Sequence, residues 1–202
     1  MMSEAKIDEV QMNQNSLAIR ESHYSKHFGP LVEPIMHSSD DSVPHIDIYR
    51  FRPNRDRAHW TLITGGMSDQ KQFVPDGHPE HITRRTEVLF YASEPCAWMF
   101  PMLKTLAMVP FEQRTHLHWW HSVPIDFENS QLAHAFFLPP YFESEDFDSL
   151  TIESDDVSIL WMVPITESEL LYKLEHGGQA LEELFSNCEL DPVFDESRTS
   201  VV

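Results

Sequence analysis

The sequence predicts an α+β (mixed α/β) fold: a central mixed, largely antiparallel sheet with helices packed against it. Three observations support this class. Short segments rich in β-branched and aromatic residues come early, a segment with helical spacing interrupts them, and two helical patterns follow the last strand. This order lacks the regular strand–helix alternation of a doubly wound parallel sheet. The length, 202 residues, suits one domain or at most two small ones.

The N-terminal 29 residues are polar with scattered apolar positions, which predicts an arm or a short helix that ends before Pro30. Alternation or an apolar run predicts five strands, at 46–51, 60–64, 86–91, 132–138 and 157–163. A further strand with an attached loop is expected at 116–123. Turns are expected at 38–44, 53–57 and 75–79.

Helical spacing of apolar residues predicts one helix near 95–108, with Ser93 as its cap. The T-x-x-E pattern that begins at Thr166 is a capping box and predicts a helical region over 167–186. We therefore expect one domain over 30–190, and a polar tail that frays over 191–202.

The net charge of −19 is unevenly distributed. Residues 1–114 hold 12 Lys and Arg against 15 Asp and Glu, whereas residues 115–202 hold only Lys173 and Arg198 against 18 acids. Such an acidic half repels phosphate backbones, so no nucleic-acid partner is expected. It would attract a basic protein and speed their association.

No apolar run approaches the roughly 20 residues of a membrane helix, so no membrane partner is expected. Residues 1–9 have no apolar stretch typical of a secretory signal, which predicts a cytoplasmic protein. Cys96 and Cys188 form no redox motif, and they would need histidines to make a zinc site.

The segment 64–69 (TGGMSD) predicts a tight turn directly after a strand. Its structural residues are Gly65, Gly66, Ser68 and Asp69. One glycine should have a positive φ, and the Ser and Asp side chains should bond to the local backbone. The glycines could alternatively present N–H groups to an anion, but the spacing and lysine of a nucleotide-binding loop are missing.

A histidine-rich segment supports two hypotheses. His116 and His118 would share one face of a strand and His121 could join them, which would suit a metal-dependent hydrolase. No H-E-x-x-H pattern accompanies them, so a structural or partner-facing role is the competing interpretation. Trp119 and Trp120 should point to opposite faces, which would leave one exposed.

The segment 141–156 contains seven acids and no base, and is expected to be a surface loop. An aromatic anchor with a charged rim is typical of a binding surface, so we expect the histidine segment and this loop to combine into one. The expected partner-binding residues are His116, His118, Trp120, His121, Ser122, Glu145, Asp146 and Asp148. The basic pair Arg84-Arg85 precedes a predicted strand and could pair with the acidic half, but a surface position is the default expectation.

Several motifs, in order, resemble those of the suppressor-of-fused domain family. The segment 61–69 (TLITGGMSD) is similar to its strand-turn signature, and 85–91 (RTEVLFY) to its R-x-E-L strand. The family's H-T-(I/V)-P turn is similar to 121–124 (HSVP), although Trp120 replaces the usual preceding Gly. Three further matches lie at 73–75, 98–107 and 164–169, so that the resemblance spans about 45–186.

The resemblance implies a compact suppressor-of-fused-like domain that acts by binding protein. Stand-alone bacterial members resemble immunity proteins of polymorphic toxin systems. It therefore predicts a non-enzymatic immunity protein whose partner is a basic toxin domain, with no catalytic residues, cofactor or metal. The hydrolase remains the alternative, and a peptide-binding adaptor without a toxin is a third hypothesis.

Overall fold

The computed structural model describes residues 4–37, 43–78, 82–125 and 130–202, with only the backbone described for 4–14. The turns predicted at 38–44 and 75–79 therefore lie partly outside the described residues. No helix among the residues described is both long and apolar enough to cross a membrane.

Seven strands are seen in these ranges. They are β1 (Asp47–Phe51), β2 (Trp60–Gly65), β3 (Arg85–Ala92), β4 (Ser122–Pro124), β5 (His134–Leu138), β6 (Thr151–Ile152) and β7 (Asp155–Ile165). The main sheet has the order β1-β2-β3-β7-β5-β4, and β6 pairs with the start of β7. The β3–β7 pair is parallel and the other pairings are antiparallel. The prediction of a mixed, largely antiparallel sheet is confirmed.

Helices cover both faces of this sheet. They are α1 (Glu4–Phe28), α2 (Met99–Glu112), α3 (Glu167–His176) and α4 (Gly178–Asn187). Residues of α1 and α4 pack with one set of strand side chains, including Leu89 and Tyr91, while α2 packs with the opposite set, including Val88 and Phe90. Because it is covered on both sides, β3 is buried along its whole length.

The N-terminal segment is a 25-residue helix, not the arm or short helix expected from its polar sequence. Arg20, Tyr24 and Phe28 recur every fourth residue and are all buried, so they form the face that packs on the sheet. This face contains only one buried residue per turn, with a charged residue among them, which made it hard to recognise in the sequence.

Two further expectations are wrong. Of the expected strand at 116–123, only residues 122 and 123 lie in a strand, as the first two residues of β4, and Trp120, with a φ of 64°, breaks the extended backbone before them. The tail is not frayed: the Phe194 N–H donates to the Tyr91 carbonyl (3.0 Å), and the Arg198 guanidinium donates to the Pro164 carbonyl (2.8 Å).

Candidate functional site

The glycine turn encloses a carboxylate that the sequence reasoning missed. Glu87, in β3, is completely buried and accepts four hydrogen bonds. The donors are the hydroxyl of Thr64 (2.6 Å), the N–H of Gly66 (3.1 Å), and the N–H (3.0 Å) and hydroxyl (2.6 Å) of Ser68. Burial raises the pKa of Glu87, while Arg20 and the Ser68 and Thr64 hydroxyls act in the opposite direction.

Arg20 brings α1 into the same network. Its buried guanidinium donates to both carboxylate oxygens of Asp69 (2.5 and 3.3 Å), and its Nε lies 3.9 Å from Glu87. Ser68 and Asp69 were expected to bond to the local backbone, but their side chains reach residues far away in sequence. Arg20 and Glu87 are both closed to solvent, and their bonds fix the conformation of the turn.

Both glycines of the turn lie where a side chain would collide. Gly66 has the positive φ predicted for one of the pair, 102°, and a Cβ there would lie 1.9 Å from the carbonyl oxygen of His45. A Cβ on Gly65 would lie 2.3 Å from the Tyr49 ring.

Arg84 is exposed as expected, whereas Arg85 is buried and takes the alternative role, pairing with the acidic half. It donates to the carbonyl oxygens of Ser68 (2.7 Å) and Asp69 (3.0 Å), and to the carboxylates of Asp155 (2.9 Å) and Glu153. Part of the acidic loop thus neutralises a core cation. A basic residue directly before a buried strand was the sequence signal for this role.

The three histidines at 116–121 do not converge. His116 and His118 are only 8% and 5% exposed, so the structure buries two of the side chains that were predicted to contact a partner. The His116 ring lies 5.0 Å from that of half-buried His121 but 4.8 Å from His78, whereas His118 packs on Trp119 (4.9 Å). Burial lowers the pKa of His116 and of His121, which favours neutral rings at pH 7.

Trp119 and Trp120 point to opposite sides as expected, but both are half-buried and neither is exposed. Trp120 packs against Gly178, and its indole N–H donates to Glu182 of α4. Its left-handed backbone is the conformation that glycine adopts at least cost, which accounts physically for the glycine usual in the family at this position.

The acidic loop contains a 3₁₀ turn, Glu145–Ser149, that packs on α1 through buried Phe147. Lys26 of α1 binds Asp146 (2.6 Å) and lowers the pKa of that carboxyl. Glu145 and Asp148 are exposed and form no ion pair in the described structure.

The two halves of the expected partner surface contact different elements. Ser122 accepts a hydrogen bond from Lys173 of α3 (3.0 Å), and Trp120 bonds to α4, whereas the 3₁₀ turn contacts α1. Sequence reasoning missed the aromatic pair that begins the acidic loop: Tyr141 and Phe142 are 54% and 52% exposed. The signal was two aromatic residues between a Pro-Pro pair and a run of acids.

Comparison with known proteins gives a family match and fold matches. The family model for suppressor of fused protein (SUFU) matches residues 42–199. Immunity protein YqcF of Bacillus subtilis (strain 168) is 33% identical over 75 residues, which cover 37% of this chain and only 38% of that protein.

Three solved structures share the fold. A SUFU homologue from Neisseria gonorrhoeae FA 1090 has a TM-score of 0.70 at 18% identity, covering 96% of this chain and 98% of that one. The Sufu-Fu complex crystal structure gives 0.61 at 14% identity, covering 94% and 92%. Drosophila Suppressor of Fused gives 0.52 at 15% identity, covering 78% and 42%. Because the family model covers well over half of the sequence, including the turn built around Glu87, this chain belongs to the suppressor of fused (SUFU) family.

Proposed function

We propose that this protein is an immunity protein that neutralises a toxin by binding it directly. The name of the Bacillus subtilis relative supports this function, although the matched part is well under half of that protein. A cytoplasmic location, where a toxin could be met before it acts, is part of the proposal.

The unbalanced charge supports a basic partner. The two cations of the acidic half are already engaged, since Arg198 binds Glu169 (2.6 Å) and Lys173 donates to Ser122 (3.0 Å). Cations of the first half pair with some acids of the acidic half, such as Asp146, but exposed Glu145, Asp148 and Glu183 have no salt-bridge partner in the described structure. Such a field speeds the capture of a basic protein.

One observation carries the choice of surface: Tyr141 and Phe142 are two of the three exposed aromatic side chains among the described residues, and they lie in the same loop as Glu145 and Asp148. The Phe142 ring makes an edge contact with the Trp161 ring, whose centroid lies 5.3 Å away. Partly exposed aromatics can be buried by a partner, while carboxylates around them steer its approach. The proposed surface therefore keeps the acidic loop, but its aromatic anchor is Phe142 instead of Trp120.

Neutralisation is tested by capture followed by rescue. The immobilised protein is used to capture a partner from extracts of its own host, and the captured polypeptide is then expressed in a test strain. We expect growth arrest that coexpression of this chain relieves. A harmless captured polypeptide would contradict the immunity role and favour the peptide-binding adaptor.

The surface is tested by kinetics with that partner. Glu145→Gln combined with Asp148→Asn should slow association at low salt by about tenfold or less and leave dissociation unchanged. Phe142→Ala should speed dissociation, because an anchor of this kind contributes about 2 kcal/mol or more. Asp146 is left intact because its change would also break the ion pair with Lys26.

The matched control is Glu183→Gln combined with Glu196→Gln, which removes two exposed charges outside the acidic loop. Equal slowing by this control would mean that total charge matters and the loop does not. An unchanged dissociation rate in Phe142→Ala would contradict the role of Phe142 as the aromatic anchor.

A further inference from the structure

Two histidines and an aspartate meet beside the edge strand β1. The Nδ1 of His37 lies 2.8 Å from Oδ1 of Asp47, and the Nε2 of His45 lies 3.3 Å from the same oxygen. The three ligand atoms all lie within 4.8 Å of one another. The Asp47 side chain is only 12% exposed, whereas the two imidazoles are 60% and 52% exposed.

The backbone explains why they meet. Met36 and Ile48 exchange two backbone hydrogen bonds (3.3 and 3.0 Å) as an antiparallel bridge, which places His37 opposite Asp47. His45 precedes Asp47 by two residues, so both side chains project from the same face, while Ile46 between them is buried in the core. The sheet thus fixes the carboxylate, and the histidines approach it from two directions.

These separations suit a tetrahedral metal site. Bonds of about 2.0–2.2 Å from zinc to His nitrogen and Asp oxygen place neighbouring ligand atoms about 3.3–3.5 Å apart. The observed contact of 3.3 Å already fits, and that of 2.8 Å fits after a small rotation of the exposed His37 ring. Two imidazoles with one carboxylate favour a transition metal over Mg²⁺ or Ca²⁺, which prefer oxygen ligands alone.

We infer that His37, His45 and Asp47 form a binding site for a divalent transition metal of the zinc class. Three protein ligands leave the fourth position open to water or to a donor group of another molecule. The bound ion ties the segment at Met36 to β1, directly beside Gly66, whose Cα faces the His45 carbonyl. This site is separate from the surface at Tyr141 and Phe142, and the inference is independent of the proposed function.

The test is calorimetric titration of tag-free, chelator-treated full-length protein with ZnCl₂, paired with thermal unfolding in the presence and absence of Zn²⁺. We expect one Zn²⁺ per chain and a rise in melting temperature. His37→Ala and His45→Ala should each weaken binding by at least the roughly 10–100-fold that is lost when a residue merely supporting a metal ligand is removed. Both side chains are exposed, so these variants should fold normally.

Two histidine variants serve as controls. His176→Ala removes another exposed histidine that lies beside a carboxylate (3.8 Å from Glu175) and should leave zinc binding unchanged. His121→Ala tests the 116–121 segment and should also leave it unchanged. Circular dichroism verifies that each variant keeps the wild-type fold.

Absence of one-to-one binding in the wild type would overturn the inference. Binding that survives in His37→Ala but is lost in His121→Ala would overturn it too, and would assign the metal to the histidine-rich segment. Visible absorption of the Co²⁺-loaded protein, altered in Asp47→Asn, reports whether the carboxylate is a ligand.

Discussion

Position 66 combines two constraints, a left-handed backbone and a carbonyl oxygen in the space of a side chain. Gly66→Ala should therefore lower the free energy of unfolding by about 3–5 kcal/mol, because strain and collision add. Gly29 is the matched control: its φ is also positive, at 91°, but a Cβ added there would have nothing within 4 Å. Gly29→Ala should cost only about 1–2 kcal/mol. Urea unfolding measures the free energy of unfolding of both variants. Equal losses would contradict the predicted collision with the His45 carbonyl.

Two substitutions at Trp120 separate the energetic cost of its left-handed backbone from the energy of its side-chain packing. Trp120→Gly and Trp120→Ala both lose the indole, with its hydrogen bond to Glu182 and its ring contact with Gly178, but only glycine relieves the positive φ. The Gly variant should therefore be more stable than the Ala variant by about 1 kcal/mol. At Leu17, in the interior of α1, the same two substitutions should rank in the opposite order by a similar amount. Chemical denaturation of the four variants tests this inversion.

Among the elements, the first turn of α3 is stabilised by its capping box and by contacts from the C-terminal tail. Thr166 and Glu169 form the predicted capping box, and Arg198 then donates two hydrogen bonds to the same Glu169 carboxylate (2.6 and 2.7 Å). Burial alone would raise the pKa of Glu169, but the bonds from Arg198, Thr166 and Val201 outweigh it and lower the pKa below the ordinary 4.5. The tail thus acts as part of the domain.

Arg198→Gln should lower the free energy of unfolding by about 2–4 kcal/mol at pH 7, since it leaves a buried carboxylate without its cation. A carboxyl with a depressed pKa stabilises the fold above pH 4.5, and that contribution disappears as the pH falls through the lower, folded value. The difference in the free energy of unfolding between wild type and variant should therefore decrease below about pH 4. Lys26→Gln, which breaks a solvent-exposed ion pair, should change stability little. A gap that does not vary between pH 7 and pH 3 would contradict the ion-pair explanation.

Elements with strong local patterns were predictable, and features set by distant partners were not. The strands at 46–51, 60–64, 86–91 and 157–163 show alternation or apolar runs that need no tertiary information, and the structure has strands there. The burial of Glu87 and Arg20 could not be inferred from the sequence, because each is charged and its partners lie about 20 or more positions away along the chain. The motif residues 64–69 were singled out, but the helix that supports them looked merely polar.

At the scale of the whole molecule, α1 is integral although it precedes the family match at 42–199. Tyr24 donates to the Thr64 carbonyl (3.0 Å), Phe28 packs on Phe51, and Arg20 neutralises the turn. Burying two aromatics of this size contributes about 3–5 kcal/mol each, comparable with the total stability of a domain.

A chain that begins at residue 29 should therefore show no cooperative unfolding transition. A chain that begins at residue 15 keeps Arg20, Tyr24 and Phe28, and should unfold cooperatively. Circular dichroism and tryptophan fluorescence during urea titration distinguish the two. A sharp transition in the shorter chain would show that the sheet and the remaining helices suffice.

The parallel pairing of β3 with β7 has a consequence for how quickly the chain reaches its native state. Arg85 aligns with Val157, so the centre of the sheet closes only when positions distant in sequence meet. The antiparallel pairs β1–β2 and β4–β5 join nearer neighbours and can form earlier. Refolding should therefore be slow, on the order of milliseconds to seconds, with this seam as its last barrier. Until it closes, the apolar edges of β3 and β7 are open to pairing with other chains, so the yield of refolding should fall as protein concentration rises.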